Sequence, residues 1–161
     1  MDCDLRDYLV ARQMRAYVTR FVAGLTERNR LPLDYSIASL RLVDLIIDGL
    51  RGDGPPGHGP ERVRIEPVLR GLGVYLGEVM VRRGGGRWVE FDEAQRQSFG
   101  QPVGVRMSDG RVWNPLGRVV NRFEVGSEES IQRFYLLVPG RERRPVATVN
   151  ATAATAATAT V

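Results

Sequence analysis

The chain contains no lysine; all 23 of its basic residues are arginine. Without lysine there is no Schiff-base amine and no Walker-type phosphate loop, which needs one. Cysteine is nearly absent as well. Cys3 stands alone, so an intrachain disulfide is impossible and zinc sites built on two or more cysteines are excluded. The one histidine, His58, lies in Gly54-Pro55-Pro56-Gly57-His58-Gly59-Pro60. That composition predicts an exposed loop, a poor platform for a catalytic base. Ser–His–Asp, Cys–His and multi-histidine metal chemistries are thereby set aside, and no metal or cofactor is expected. No apolar run approaches the roughly 20 residues of a membrane span. Asp2, Asp4 and Asp7 stand where a secretion signal carries basic and then apolar residues, so the cytoplasm is the expected compartment.

What is present is ordinary globular composition. The 161 residues are 43% hydrophobic and 26% charged, the size and make-up of one domain. Arginine without lysine, beside abundant Gly, Ala and Val, resembles the usage of a GC-rich bacterial genome. The net charge is +4, part of it from Arg141, Arg143 and Arg144 near the C-terminus. The remainder is close to neutral, which is not the balance of a dedicated nucleic-acid binder.

The expected fold is α+β: three helices, a three-stranded antiparallel meander, then two short helices, all within residues 1–140. Val10, Met14, Tyr17, Val18, Phe21 and Leu25 recur at helical spacing and predict a first helix over about 4–30, ended by Leu31-Pro32. A second helix is expected over about 35–50, capped by Asp34 or Ser36, with a stripe of Ile37, Leu40, Val43, Ile46, Ile47 and Leu50. Residues 51–60 read as a flexible loop. A third helix, apolar nearly all round and therefore central, is expected over roughly 67–81. Strands follow at 87–91, at 103–107 and after Asp109-Gly110. Counting outward from a two-residue turn there pairs Met107 with Val112 and Arg106 with Trp113, whose ring the guanidinium can cover. Asn114-Pro115 starts a fourth helix that ends at Gly126, and Ser127 caps a fifth. Residues 141–161, closing on Ala/Thr repeats, read as a low-complexity tail.

Four groups are candidates for chemistry. Gly71, Gly73 and Gly77 imitate a dinucleotide-binding glycine pattern, but the helix runs through them, so close packing is the simpler reading. Glu78 is the one charged residue between Arg70 and Arg82, on the most apolar helix. It is expected to be partly buried and held by Arg118 or Arg122, or else to mark a cleft. Asp44 and Asp48 share a helix face and can hold a cation or act as an acid–base pair. Arg41 and Arg51 flank them at ion-pair spacing, which predicts a solvated ridge. Arg82, Arg83, Arg87 and Trp88, with Arg96 near, would suit a phosphate backbone as well as a core tryptophan beside solvated arginines.

Asp34-Tyr35-Ser36, Ser39-Leu40 and Asp44, then Gly73-Val74-Tyr75-Leu76-Gly77-Glu78-Val79, Trp88, Pro115 and Arg122-Phe123-Glu124 with Gly126, resemble small bacterial domains of unknown function over residues 33–138. The resemblance implies an α+β domain and brings no activity with it. The function expected from the inventory is non-catalytic: a protein-binding accessory module, of immunity or adaptor type, whose partner is another protein. Two alternatives stand beside it. One is a small enzyme using carboxylate and arginine chemistry around Glu78. The other is a weak nucleic-acid binder through residues 82–88. An exposed apolar stripe on the first helix would favour the protein-binding reading.

Overall fold

Every residue from Gly71 to Met80 is buried, which sets the axis of the fold. The computed structural model describes residues 10–140. Helix α1 (Met14–Asn29) is entered through a 3-10 turn at Ala11–Gln13. It follows the expected stripe: Met14 and Val18 are buried, with Tyr17, Phe21 and Leu25 packed beside them. Arg30 closes it in the left-handed conformation, φ 51°. Val10, expected on the same stripe, is instead extended at φ −104° and ψ 146°, so the helix does not run back through it; the expected start near residue 4, Cys3 and the Ala/Thr tail lie outside the described residues.

Helix α2 (Leu40–Arg51) starts five residues later than expected. Tyr35 adopts φ 59°, which no residue of a right-handed helix can have. The two expected caps do accept backbone N–H groups, but in the turn before the helix. Asp34 Oδ1 takes the Ser36 N–H at 2.9 Å and Ser36 Oγ takes the Ser39 N–H at 3.1 Å. The Ser36 contacts lower the Asp34 carboxyl below its ordinary range.

Helix α3 (Pro60–Gly84) is longer than the expected 67–81 and places Pro67 inside it. Pro60 sits in the first turn, where a missing N–H costs nothing. Pro67 forfeits the bond to the Val63 carbonyl; Val63 is exposed, so water can serve that oxygen. The helix packs on α1, α2, α5 and two strands, the central position its composition implied.

Strands β1 (Arg87–Glu90), β2 (Val103–Arg106) and β3 (Val112–Trp113) form the expected antiparallel sheet in the order β1-β2-β3. Two details differ. A helix, α4 (Glu93–Phe99), lies between β1 and β2, so there are six α-helices among the described residues instead of five. Its signal is a capping box: Asp92 Oδ1 accepts the Gln95 N–H, and the Gln95 side chain accepts the Asp92 N–H. The hairpin register is shifted by one. Arg106 pairs with Val112 and Val105 with Trp113, because Met107 N–H bonds the Arg111 carbonyl across a three-residue loop with Gly110 at φ 83°. Trp113 therefore does not lie opposite Arg106; it meets the Phe134 ring edge-on at 5.6 Å.

Helix α5 (Pro115–Val125) starts and stops as expected, with Asn114 capping the Gly117 N–H at 2.8 Å and Gly126 after its end. Ser127 opens only a 3-10 turn, Ser127–Glu129. The last helix, α6 (Ile131–Leu137), is capped by Ser130.

Candidate functional site

Three glycines of α3 carry neighbours at van der Waals closeness. A Cβ on Gly71 would fall 2.1 Å from Phe21, one on Gly73 2.7 Å from the Leu116 Cα, and one on Gly77 2.1 Å from the Trp88 ring. The glycine pattern is thus a packing pattern. It brings α1, α5 and β1 onto one helix.

Glu78 has no exposed surface. Its Oε1 accepts from Arg82 Nε at 2.7 Å and from Arg15 Nε at 3.3 Å; its Oε2 accepts from the Trp88 indole at 3.1 Å. The expected partners were Arg118 or Arg122. Both lie elsewhere: Arg118 pairs with Glu129 and Arg122 with Asp44 and Asp48. The closest donor is Arg82, one turn along the same helix. Its guanidinium lies 3.8 Å above the Tyr35 ring, and Tyr35 stacks on Tyr75 at 5.0 Å.

The same network holds the strained backbone at Tyr35. The Tyr35 N–H donates to Tyr75 Oη at 2.8 Å and Arg83 Nε donates to the Tyr35 carbonyl at 3.0 Å. Ser39 Oγ donates to the Ser36 carbonyl at 2.6 Å, which leaves the Tyr75 hydroxyl to donate to Ser39. Burial raises the pKa of Tyr75 and of Tyr35, with Arg82 opposing the rise at Tyr35.

Arg122 is the centre of a second cluster, with 2% of its side chain exposed. Its Nε donates to Asp44 at 3.0 Å and its Nη2 to Asp48 at 2.6 Å. Asp44 also accepts from Ser130 Oγ and Ile131 N at 2.8 Å and from Gln132 N at 3.3 Å, so it caps the first turn of α6. The expected ridge of Asp44 and Asp48 with Arg41 and Arg51 is therefore a clamp joining α2, α5 and α6. Arg51 turns instead to the carbonyls of Glu124 and Val125.

These contacts limit the chemistry. Glu78 is enclosed, with both oxygens taken by donors. Asp44 and Asp48 are bridged by a cation of the chain itself. Of the basic cluster, Arg82 and Arg83 are exposed but engaged, through Glu78 and the Tyr35 carbonyl, Trp88 donates to Glu78, Arg96 donates to the Phe91 carbonyl, and Arg87 is exposed. No group of three or more His, Cys, Asp or Glu among the described residues could hold a metal. None of the described helices is long and apolar enough to cross a membrane.

A predominantly apolar groove of about 440 Å³ lies between α1 and the Pro67 turn of α3. Tyr17, Phe21, Leu25, Pro67 and Val68 line it, with Arg20 and Arg28 beside them and Gly24 between. Residues 17, 20, 21, 24, 25 and 28 occupy one helical face. Arg20 and Arg28 are exposed and make no ion pair or side-chain hydrogen bond among the described residues. Burial raises the Tyr17 pKa, and the charges of Arg70 and then Arg20 act against the rise. Nothing lies within 4 Å of where a Gly24 Cβ would stand. Sequence reasoning found Tyr17, Phe21 and Leu25 but passed over Arg20 and Gly24. Their signal was the arginine pair two turns apart along the edge of the apolar stripe.

Comparison with known proteins finds no matching family model, no matching curated protein and no matching solved structure.

Proposed function

We propose that the protein is a non-catalytic binding module that docks another polypeptide on the α1/α3 groove. The observation that carries this is the contrast between two parts of the molecule. The carboxylates considered for chemistry, Glu78, Asp44 and Asp48, are engaged within the fold. The apolar face of α1 is not: Phe21 and Leu25 are only partly covered, and Arg20 and Arg28 beside them form no ion pair or side-chain hydrogen bond among the described residues. An apolar groove rimmed by unpaired charge is the usual anatomy of a protein-binding surface. The intrachain acceptors that Arg82, Arg83 and Trp88 already hold weigh against nucleic-acid binding through residues 82–88. The enclosure of Glu78 weighs against catalysis there.

Position-specific photocrosslinking tests the proposal. A photoreactive phenylalanine analogue replaces Leu25 in the groove or, as a control, Gln97 on α4, in cells that make the protein. The expected result is a discrete protein adduct from position 25 and none from position 97. Adducts of equal pattern from both positions, or none from either, would overturn it.

A further inference from the structure

Resting on that reading of the groove, we infer that its occupant is an acidic amphipathic helix, with carboxylates about two turns apart flanking a bulky apolar residue that seats over Gly24. Charge complementarity gives the sign of the partner. Arg20 and Arg28 stand on the groove with no carboxylate paired to either among the described residues, and Arg70 adds positive charge near Tyr17. The nearest acid along α1, Glu27, is exposed, does not line the groove and forms no ion pair among the described residues.

Spacing gives the form. Eight residues of helix separate Arg20 from Arg28, about 12 Å along the axis, which a second helix matches with acids seven or eight residues apart. Gly24 lies midway, where open space replaces a side chain. A glycine in the interior of an exposed helix weakens it, so the local rule is broken without any packing gain inside the chain. A side chain arriving from outside supplies that gain. Helix-in-groove recognition works in this way, with apolar anchors at helical spacing and charges at the rim.

Fluorescence anisotropy with two synthetic helical peptides of about 16 residues tests the inference. Both carry the same leucine face; one has glutamates two turns apart on its rim, the other lysines at the same positions. The expected result is saturable binding of the acidic peptide to the full chain, at least about tenfold tighter than the basic twin, and weaker at about 500 mM salt than at about 50 mM. Arg20→Glu with Arg28→Glu should invert the preference. Gly24→Phe should abolish binding without lowering the melting temperature, since its ring enters open space. Equal binding of both peptides, or retention by Gly24→Phe, overturns the inference. If position 25 crosslinks to a protein in cells but neither peptide binds, the docking function stands and the acidic-helix occupant falls. If neither is seen, both fall.

Discussion

Trp88 and Glu78 meet across the start of the sheet in a way that ties a glycine to a carboxylate. The indole N–H donates to Glu78 Oε2 at 3.1 Å, and the ring of the same residue occupies the space a side chain on Gly77 would need. A buried acid and a missing side chain are thus consequences of one tryptophan. Gly77→Ala places a methyl against that ring and should cost about 1–3 kcal/mol. Gly24→Ala, in open space on α1, should instead stabilise by about 0.5–1 kcal/mol. Denaturant midpoints of both variants check the pair. A neutral Gly77→Ala would show that the ring is free to move.

Glu78 is held by donors of unequal exposure. Arg15 is 71% exposed at its side chain and Arg82 36%, so both can return to water when the acid is removed. The half-buried Trp88 N–H, bonded to a fully buried acid, loses its acceptor. Glu78→Ala should therefore destabilise by about 3 kcal/mol, through the orphaned indole and the void. Glu78→Gln keeps an acceptor and should cost about 1 kcal/mol. Equal melting temperatures for the two variants would contradict this ordering.

Arg122→Met tests the second cluster. It leaves Asp44 with its Ser130, Ile131 and Gln132 donors but removes the cation that joins α2 to α5. Loss of a buried ion-pair partner costs about 3–5 kcal/mol, and the remaining donors place this case near the lower figure. A loss below about 1 kcal/mol would show that the cluster only covers the core.

Alkaline pH should unfold the chain through its tyrosines. Burial raises the folded-state pKa of Tyr75, Tyr35 and Tyr17 above 10.0, so the folded state holds those protons more tightly than the unfolded one. The stability this contributes is complete below pH about 10 and is lost as pH rises through the folded values. Denaturant midpoints should be flat from about pH 8 to about pH 9.5 and fall beyond pH about 10. Tyr75→Phe should fall less steeply. Identical slopes would remove Tyr75 from the effect.

Much of this was legible in the sequence because it rests on local rules. The helical period of α1, the all-round apolar α3, the Asn114-Pro115 start and the Gly126 stop each write themselves into a few residues. The hairpin register depended on whether the loop holds two residues or three, and Asp109-Gly110 suits either. Helix α4 was missed although Asp92 and Gln95 carry its capping box, because seven residues show too little apolar periodicity. The partners of Glu78 and Asp44 were harder still. Arg15 lies 63 residues from Glu78, and Arg122 lies 78 from Asp44. For Asp44 and Asp48, helix spacing suggests Arg51, whereas tertiary packing supplied Arg122; for Glu78 the i+4 neighbour Arg82 is itself the closest donor, and Arg118 and Arg122 are engaged elsewhere.

Amide hydrogen exchange on the full chain, alone and saturated with the acidic peptide, tests the docking face most directly. The expected result is slowed exchange over residues 17–28 and 63–68, with residues 78–88 unchanged. Slowing confined to residues 82–88, or no change anywhere at saturation, would contradict the placement of the binding surface between α1 and α3.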